Sequence, residues 1–160
     1  MFLSHLRDLM KYKMIIREGR KEDIPQVLKL IRELAEYENA LDQVENNVES
    51  LEKDGFGKKP LFKIFVADYN RKIIGMGLIY YRYSTWKGKR LYLEDLIVKN
   101  KYRRKGVGSK LFNEIMKYGK KKSCSGLMFQ VLNWNKLGIN FYKKYNVQFD
   151  NEWLNCYVDF

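Results

Sequence analysis

The sequence predicts an α/β protein, or α+β by strict accounting of strand directions, with one mixed and mostly antiparallel sheet and helices on both faces. First, short apolar segments separated by turn residues predict consecutive strands in the middle of the chain. Second, the passage from Leu91 through Leu132 reads strand, helix, strand, and such a crossover is right-handed and places two parallel strands side by side. Third, 160 residues with 46% apolar composition suit one domain with a real core.

The first third of the chain is predicted to hold a strand and two helices. Lys13 to Arg17 forms a short strand. Apolar residues at helical spacing predict an amphipathic helix over Glu22 to Glu38. Asn46 or Asn47 can cap a second, short helix that Gly55 ends.

Three strands are predicted next. Leu61 to Asp68 is followed by a turn and then by the long strand Ile73 to Tyr83. Gly75 and Gly77 lie inside that strand and indicate a bulge or a close approach of another backbone. A second turn leads to the strand Leu91 to Val98.

The last third alternates helices and strands. The predicted elements are a helix from Val107 to Lys122, a strand from Leu127 to Leu132, a helix from Leu137 to Tyr145 and a final strand from Trp153 to Phe160. The elements do not repeat, and no linker divides them. We therefore expect one domain over residues 14–160, preceded by an N-terminal extension of residues 1–13.

Composition excludes several kinds of chemistry. The single histidine, His5, lies in the N-terminal extension. Unless that extension folds back onto the domain, a histidine base, a Ser-His or Cys-His pair and a histidine-based zinc site are not expected there. Cys124 and Cys156 are typical of reduced thiols rather than of a disulfide framework. The longest near-apolar run, Ile73 to Tyr81, is too short to span a bilayer. The sequence thus predicts a cytoplasmic protein without metal.

Charge is distributed unevenly along the chain, whose net charge is +12. From Glu33 to Asp54 there are eight acids and one base, a local net of −7. From Lys99 to Lys105 there are five bases in seven residues. This asymmetry indicates two sites that prefer ligands of opposite charge, although solvated surface would also give charge runs.

The most informative stretch runs from Leu96 to Leu111. An apolar strand end is followed by a basic loop with glycines at Gly106 and Gly108, and a helix begins at once. Exposed N–H groups and the positive end of the helix dipole form an anion site there. The loop matches neither the dinucleotide fingerprint nor the Walker loop, and a plain strand-to-helix turn remains an alternative.

The pattern Arg103-x-x-Gly106-x-Gly108 resembles the acetyl-coenzyme A pyrophosphate loop of the GNAT N-acetyltransferases. Further segments resemble the diamine (spermidine/spermine) acetyltransferase branch of that family, in the family's order, from Met14 to about Trp153. These segments are Arg32-Glu-Leu-Ala-Glu-Tyr-Glu38, Asp54-Gly-Phe-Gly57, Tyr80-Tyr-x-Tyr83, Leu91-Tyr-Leu-Glu94-Asp95, Tyr102-Arg103, Trp134-Asn135 and Asn140-Phe-Tyr142-Lys143.

The resemblance implies an acetyl-CoA site. In that family the two parallel strands splay apart and the pantetheine arm fills the gap, where Leu96, Ile97 and Val98 offer backbone hydrogen bonds. The resemblance places the pyrophosphate on the basic loop and the helix start, and it places the acetyl thioester near the second helix. The implied cofactor-binding residues are Leu96, Ile97, Val98, Arg103, Arg104, Lys105, Gly106, Val107, Gly108, Ser109, Asn135 and Tyr142.

Acid and base must be found without histidine. By resemblance, Tyr142 is the general acid that protonates the coenzyme A thiolate, and Glu94 accepts the amine proton, through water. Tyr142 could instead be a structural aromatic of its helix. Asp95 adjoins Glu94, and alternation along a strand would let only one of the two face the site.

The acidic segment suits a cationic acceptor. Tyr37, Glu38, Glu94 and Glu152 could line the acceptor pocket, with Trp86 as an aromatic wall for cation–π contact. Polyamine-acetylating members usually carry an acid where Ser84 stands, and the Ser-Thr-Trp-Lys-Gly spelling resembles the branch that acetylates thialysine.

We therefore expect an acetyl-CoA-dependent N-acetyltransferase for a thialysine- or lysine-like amino compound or a short diamine. A spermidine/spermine acetyltransferase is the alternative within the family. A basic nucleic-acid-binding module is the alternative from another class, since 31 Lys and Arg and 24 aromatic residues fit it. The resemblance also implies a homodimer. Neither nucleic acid nor a membrane is expected as a partner.

Overall fold

Five strands form one mixed sheet in residues 14–160, the part of the chain that the structure, a computed structural model, describes. The predicted extension, residues 1–13 with His5, lies outside the described residues. The strands lie in chain order, with antiparallel pairing from β1 to β4 and parallel pairing of β4 with β5. They are β1 (Met14–Glu18), β2 (Lys63–Tyr69), β3 (Lys72–Ser84), β4 (Gly88–Val98) and β5 (Leu127–Phe129). The predicted fold class is confirmed.

Four α-helices accompany the sheet: α1 (Ile24–Tyr37), α2 (Val48–Phe56), α3 (Val107–Lys121) and α4 (Lys136–Tyr142). Asn47 caps α2, since its side chain accepts a hydrogen bond of 2.9 Å from the backbone N–H of Ser50. Gly55 does not end that helix as predicted; it lies inside the helix, where the ring of Phe62 leaves no room for a side chain. Within residues 14–160 no helix is long and apolar enough to cross a membrane.

Alternating side chains of the central strands build one core on each side of the sheet. Ile64 and Val66 of β2 belong to the core under α1 and α2, which we call the α1 side. Phe65 lies between them and points to the opposite, α3 side, where its ring packs edge-to-face with that of Tyr118, with ring centres 5.4 Å apart. Because alternate residues point to opposite faces, both faces of the sheet are apolar, and helices cover both.

The two strand glycines allow α3 to approach the sheet. A Cβ on Gly77 would stand 2.5 Å from Cδ1 of Ile115, and one on Gly75 would stand 3.2 Å from Cδ1 of Leu111. The predicted close approach of another backbone is present at Gly75, where a Cβ would stand 2.9 Å from the carbonyl oxygen of Ile97. The pairing of β2 with β3 also shifts register next to Gly75, at the step from Ala67 to Asp68.

A half-buried arginine, Arg17, links β1 to its neighbours. The Arg17 guanidinium donates to both oxygens of Asp23, at 2.7 and 2.9 Å, and to Asp68 of β2 at 2.9 and 3.0 Å. Asp23 also accepts from the backbone N–H of Arg20. Burial opposes ionisation of Asp23, but these hydrogen bonds outweigh it and hold its pKa below the usual value.

The chain divides into two units, and the second comprises Gln130–Phe160. It contains α4 and a 3₁₀ turn, Lys143–Tyr145, where the sequence predicts one helix through Tyr145. The strand predicted from Trp153 to Phe160 is absent: this segment has no regular structure and its apolar side chains are exposed. Its apolar residues resemble a strand, but among the described residues it pairs with no other backbone, and a strand needs such pairing. The first unit ends with β5, which is shorter than the predicted strand Leu127 to Leu132.

Candidate active site

The loop between β4 and α3 has the geometry of an anion site. Arg104 and Gly106 adopt left-handed backbone conformations, with φ of 58° and 78°, and Gly106 caps the helix. In the described chain no side chain caps the first turn of α3 and no acid lies in it. A Cβ on Gly106 would have none of the described atoms within 4 Å. The N–H groups of the first turn thus point out beside an open, basic loop.

Arg103 ties this loop to the end of β4 and to α1. Its Nε donates a hydrogen bond of 2.8 Å to the carbonyl oxygen of Val98, and its guanidinium lies 5.7 Å from the ring centre of Tyr37. Predicted cofactor-binding and acceptor-binding residues are therefore neighbours here. One hydrogen-bonding position of Arg103 is already used within the protein.

One edge of β4 loses its partner beside this loop. β5 pairs with β4 only from Leu91 to Leu93, while the opposite edge stays paired with β3 as far as Val98. Among the described strands none covers residues 94–98 on the β5 side. Alternate strand residues turn their backbone groups to the same edge, and the N–H of Lys99 donates to the carbonyl of Ile74 on the β3 side. The backbone groups of Leu96 and Val98 therefore face the uncovered edge, where they can hydrogen-bond an extended ligand.

A β-bulge in β4 changes which side chains share a face. Leu93 pairs with Ile79 and Asp95 pairs with Leu78, so that Glu94 is an extra residue of β4 that has no pairing partner on β3. Leu78 belongs to the core on the α1 side, and cross-strand partners point the same way. Asp95 therefore lies on the α1 side.

Glu94 lies on the same side. Its Oε2 accepts a hydrogen bond of 3.1 Å from the hydroxyl of Tyr80, which packs against the α1-side core. The ring of Tyr80 stacks on that of Tyr92 with centres 5.1 Å apart. The expectation that alternation lets only one of the two carboxylates face this region is wrong, because the bulge breaks the alternation.

The carboxylates influence one another. Burial, and after it the charges of Glu94 and Glu38, raises the pKa of Asp95 to about 7. Burial also raises the pKa of Glu38. Burial and the adjacent Glu94 raise the pKa of Tyr80 to about 12, so this phenol remains a hydrogen-bond donor. Sequence reasoning missed Asp95, for which the adjacent Glu94 was the available signal.

Trp86 is not brought to these carboxylates. It lies in the β3–β4 turn with 83% of its surface exposed, and its backbone N–H donates to Oγ of Ser84 at 3.3 Å. From Gly88 to Glu94 the strand covers roughly 20 Å at about 3.3 Å per residue. The turn and the bulge are therefore separated by roughly this distance along the hairpin.

Three predicted site residues belong to the second unit. The side chain of Asn135 caps α4 by accepting a 2.9 Å hydrogen bond from the N–H of Gly138. Tyr142 is the last residue of α4; it is buried, and its ring centre lies 5.1 Å from that of Phe141. Glu152 is exposed in an irregular segment. The catalytic and substrate-binding roles of these residues stay predictions.

The mixed sheet carries an open anion loop beside a bulge with two carboxylates. These features are consistent with an enzyme that binds an anionic cosubstrate and a cationic substrate. The profile of the acetyltransferase (GNAT) family matches residues 27–146. The chain belongs to this family and is an N-acetyltransferase, as predicted.

The chain is similar to several acetyltransferases. The chain is 42% identical to the thialysine N-epsilon-acetyltransferase of Bos taurus over 142 residues, 84% of each protein. It is 36% identical over 134 residues, 79% of this chain, to the spermidine/spermine N(1)-acetyltransferase-like protein 1 of Homo sapiens, of which it covers 19%. A solved aminoglycoside N-acetyltransferase, AAC(6')-Iy in complex with CoA, superposes with a TM-score of 0.70 at 17% identity, over 92% of this chain and 95% of that one.

Proposed function

We propose that this enzyme transfers acetyl from acetyl-CoA to the primary amine of a small cationic acceptor, by direct attack in a ternary complex. The acceptor is a thialysine- or lysine-like amino compound or a short diamine. The observation that carries the proposal is the pair of carboxylates, Glu94 and Asp95, at the bulge of the strand that leads into the anion loop. The 42% identity to a thialysine acetyltransferase supports this class of acceptor.

The loop and the open strand edge fit acetyl-CoA. The pyrophosphate would lie against the first turn of α3 and the basic loop, because the free N–H groups and the cationic side chains there complement its charge. Leu96, Ile97 and Val98 would bind the pantetheine arm along the uncovered edge of β4. The bound cosubstrate supplies the acetyl thioester. The residues proposed to hold the pyrophosphate are Arg103, Arg104, Lys105, Gly106, Val107, Gly108 and Ser109.

The carboxylates would bind and deprotonate the amine. An amine with a pKa near ~10.4 is neutral in about 1 molecule in 2,500 at pH 7, which costs roughly 4–5 kcal/mol without a base. Glu94, held by the Tyr80 hydroxyl, would bind the ammonium. Glu94 through water, or Asp95, whose pKa of about 7 suits proton transfer at neutral pH, would accept the proton. Tyr37 and Glu38 would line the same pocket, and Trp86 and Glu152 would reach only acceptors that extend beyond it.

Tyr142 is the proposed acid for the departing thiolate, with Asn135 near the thioester. A thiol has an ordinary pKa of about 8.5, so a nearby phenol can return a proton to the sulfur as the carbon–sulfur bond breaks. Its place at the end of α4 and its burial are compatible with this role.

A polyamine acetyltransferase is a second candidate, supported by the 36% identity to the human spermidine/spermine-type relative. The serine at position 84 argues against it. The nucleic-acid-binding alternative is set aside because the chain is an N-acetyltransferase. We also propose a homodimer, on the basis of the family resemblance alone.

The test is release of coenzyme A from acetyl-CoA with thialysine, lysine, short diamines and spermidine as acceptors. Tyr142→Phe should lower turnover by about 10²-fold, the usual contribution of a general acid, and leave acetyl-CoA binding nearly unchanged. Tyr145→Phe, three residues away, is the matched control. An unchanged rate for Tyr142→Phe would remove it as the acid, and no turnover of any amine would refute the acceptor class.

A further inference from the structure

Two arginines lie side by side on the α1 side of the β3–β4 hairpin. Arg82 of β3 pairs in register with Arg90 of β4, and two residues further along each strand Tyr80 pairs with Tyr92. No register shift separates the two pairs, so alternation places all four side chains on one face. Arg82 is exposed and Arg90 is half-buried.

Within residues 14–160 neither guanidinium has an acidic partner. Among the described ion pairs none includes Arg82 or Arg90. The hydrogen bond that Arg82 makes among the described residues goes to the sulfur of Met128, a weak acceptor. Arg90 makes one long hydrogen bond of 3.5 Å to the carbonyl of Leu127, and in the described chain its buried Nε has no partner. Like charges directly opposite each other across two strands repel, and an anion would relieve this pair.

The arginines lie on the far side of the tyrosines from the carboxylates. Burial is the main cause that raises the pKa of Tyr80 and of Tyr92. The charge of Glu94 raises both pKa values further, whereas the charge of Arg82 lowers them. From Leu78, the strand partner of Asp95, to Arg82 is four residues, or about 13 Å at ~3.3 Å per residue. The face thus carries negative charge, two phenol rings and positive charge in a row.

An extended basic amino acid has the matching length and charge order. About 7 Å separates the side-chain nitrogen of lysine from its carboxylate carbon, and a contact of ~3 Å at each end gives a span of about 13 Å. Guanidinium groups bind carboxylates through two parallel hydrogen bonds. A diamine or polyamine would instead bring a second ammonium toward Arg82.

We infer that Arg82, backed by Arg90, binds the α-carboxylate of an amino-acid acceptor whose side-chain ammonium lies at Glu94 and Asp95. The inference rests on the proposed function and narrows its acceptor to basic α-amino acids. Arg82 is then a specificity-determining residue. It selects the carboxylate-bearing acceptor and disfavours diamines of the same length.

The test compares three acceptors that share one aminoethyl thioether end: thialysine, thialysine amide and the diamine bis(2-aminoethyl) sulfide. Coenzyme A release gives kcat and KM, and mass spectrometry identifies the acetylated nitrogen. The wild-type enzyme should prefer thialysine to the other two by about tenfold or more in kcat/KM, the effect of one charge-assisted contact. Arg82→Gln should remove this preference by raising KM for thialysine alone. Arg82→Glu should favour the diamine.

Arg71→Gln is the matched control, because Arg71 is an exposed arginine in the β2–β3 turn, outside the proposed site, and its variant should keep the wild-type preference. Thermal melting confirms that each variant is folded. Equal use of the three acceptors by the wild type, or an equal effect of Arg82→Gln on all three, overturns the inference and leaves the proposed acetyl transfer standing. No turnover of any of them by the folded wild type would refute the proposed acceptor class, and the inference with it.

Discussion

Asp95 shows how one extra strand residue changes the chemistry of its neighbours. Without the bulge at Glu94, two consecutive carboxylates would point to opposite faces of the sheet. With it, both lie on the α1 side, near Glu38, and burial together with these charges raises the pKa of Asp95. Keeping this carboxylate ionised lowers the stability of the folded protein, and the raised pKa makes the carboxylate a stronger base. This combination is typical of functional sites.

The cost is measurable as a pH dependence of stability. The pKa of Asp95 rises from its ordinary value of 3.8 to about 7, so the folded state keeps a proton that the unfolded state releases. Stability should therefore fall between pH ~4 and ~7, by up to about 4 kcal/mol, and stay level above that range. Asp95→Asn should remove this decline and be more stable than the wild type at pH 8. Urea unfolding at pH 5 and pH 8 measures both.

Glu94→Gln provides the internal check on this prediction. Removing the neighbouring charge should lower the pKa of Asp95 and move the decline in stability to lower pH. If Asp95→Asn shows the same decline as the wild type between pH 5 and pH 8, Asp95 does not carry the raised pKa.

At the scale of elements, the position of α3 depends on strand residues without side chains. Gly77→Ala would place a Cβ 2.5 Å from Cδ1 of Ile115, which is fully buried, so the helix has to move away from β3. We expect a loss of about 1–3 kcal/mol in the free energy of unfolding, the usual cost of overpacking a core. Weaker acetyl-CoA binding should accompany it, because the first turn of α3 moves too. Chemical denaturation and calorimetric titration measure these changes.

Ile115→Val supplies the matched rescue, since it removes the clashing Cδ1 atom. Alone it should cost about 0.5–1.5 kcal/mol. Combined with Gly77→Ala it should restore part of the lost stability and binding, as expected for residues in contact. Strict additivity of the two losses would show that the helix does not rest on Gly77 through Ile115.

Elements that depend on a local sequence pattern could be predicted from the sequence. The apolar period predicted the long helices within one or two residues, and Asn47 was one of the two residues predicted as the cap of α2. The bulge at Glu94 and the pairing of Arg82 with Arg90 depend on strand register, which no local pattern specifies. The apolar segment after Trp153 predicted a strand, but pairing with a neighbour decides whether one forms.

At the scale of the molecule, the net charge of +12 combines two opposite regions. The acidic segment, residues 33–54, includes the end of α1 and most of α2, on the side of the sheet where Glu38 and Asp95 lie. The basic residues concentrate in the loop before α3 and in the last turn of that helix, which carries Lys120 and Lys121. A cationic acceptor and an anionic cosubstrate are therefore attracted to different parts of one protein.

This separation predicts that salt weakens the binding of both substrates. Raising NaCl from about 50 to about 500 mM shortens the screening length from ~14 to ~4 Å. The KM values for acetyl-CoA and for the cationic acceptor should then each rise by about threefold to tenfold, while kcat changes little because chemistry occurs in the bound complex. Initial rates measured with one substrate varied and the other saturating give the two KM values separately. Sucrose at equal osmolarity is the control. A KM for acetyl-CoA that is independent of salt would mean that the basic loop does not hold its phosphates, and a salt-independent KM for the amine would mean the same for the carboxylates at the bulge.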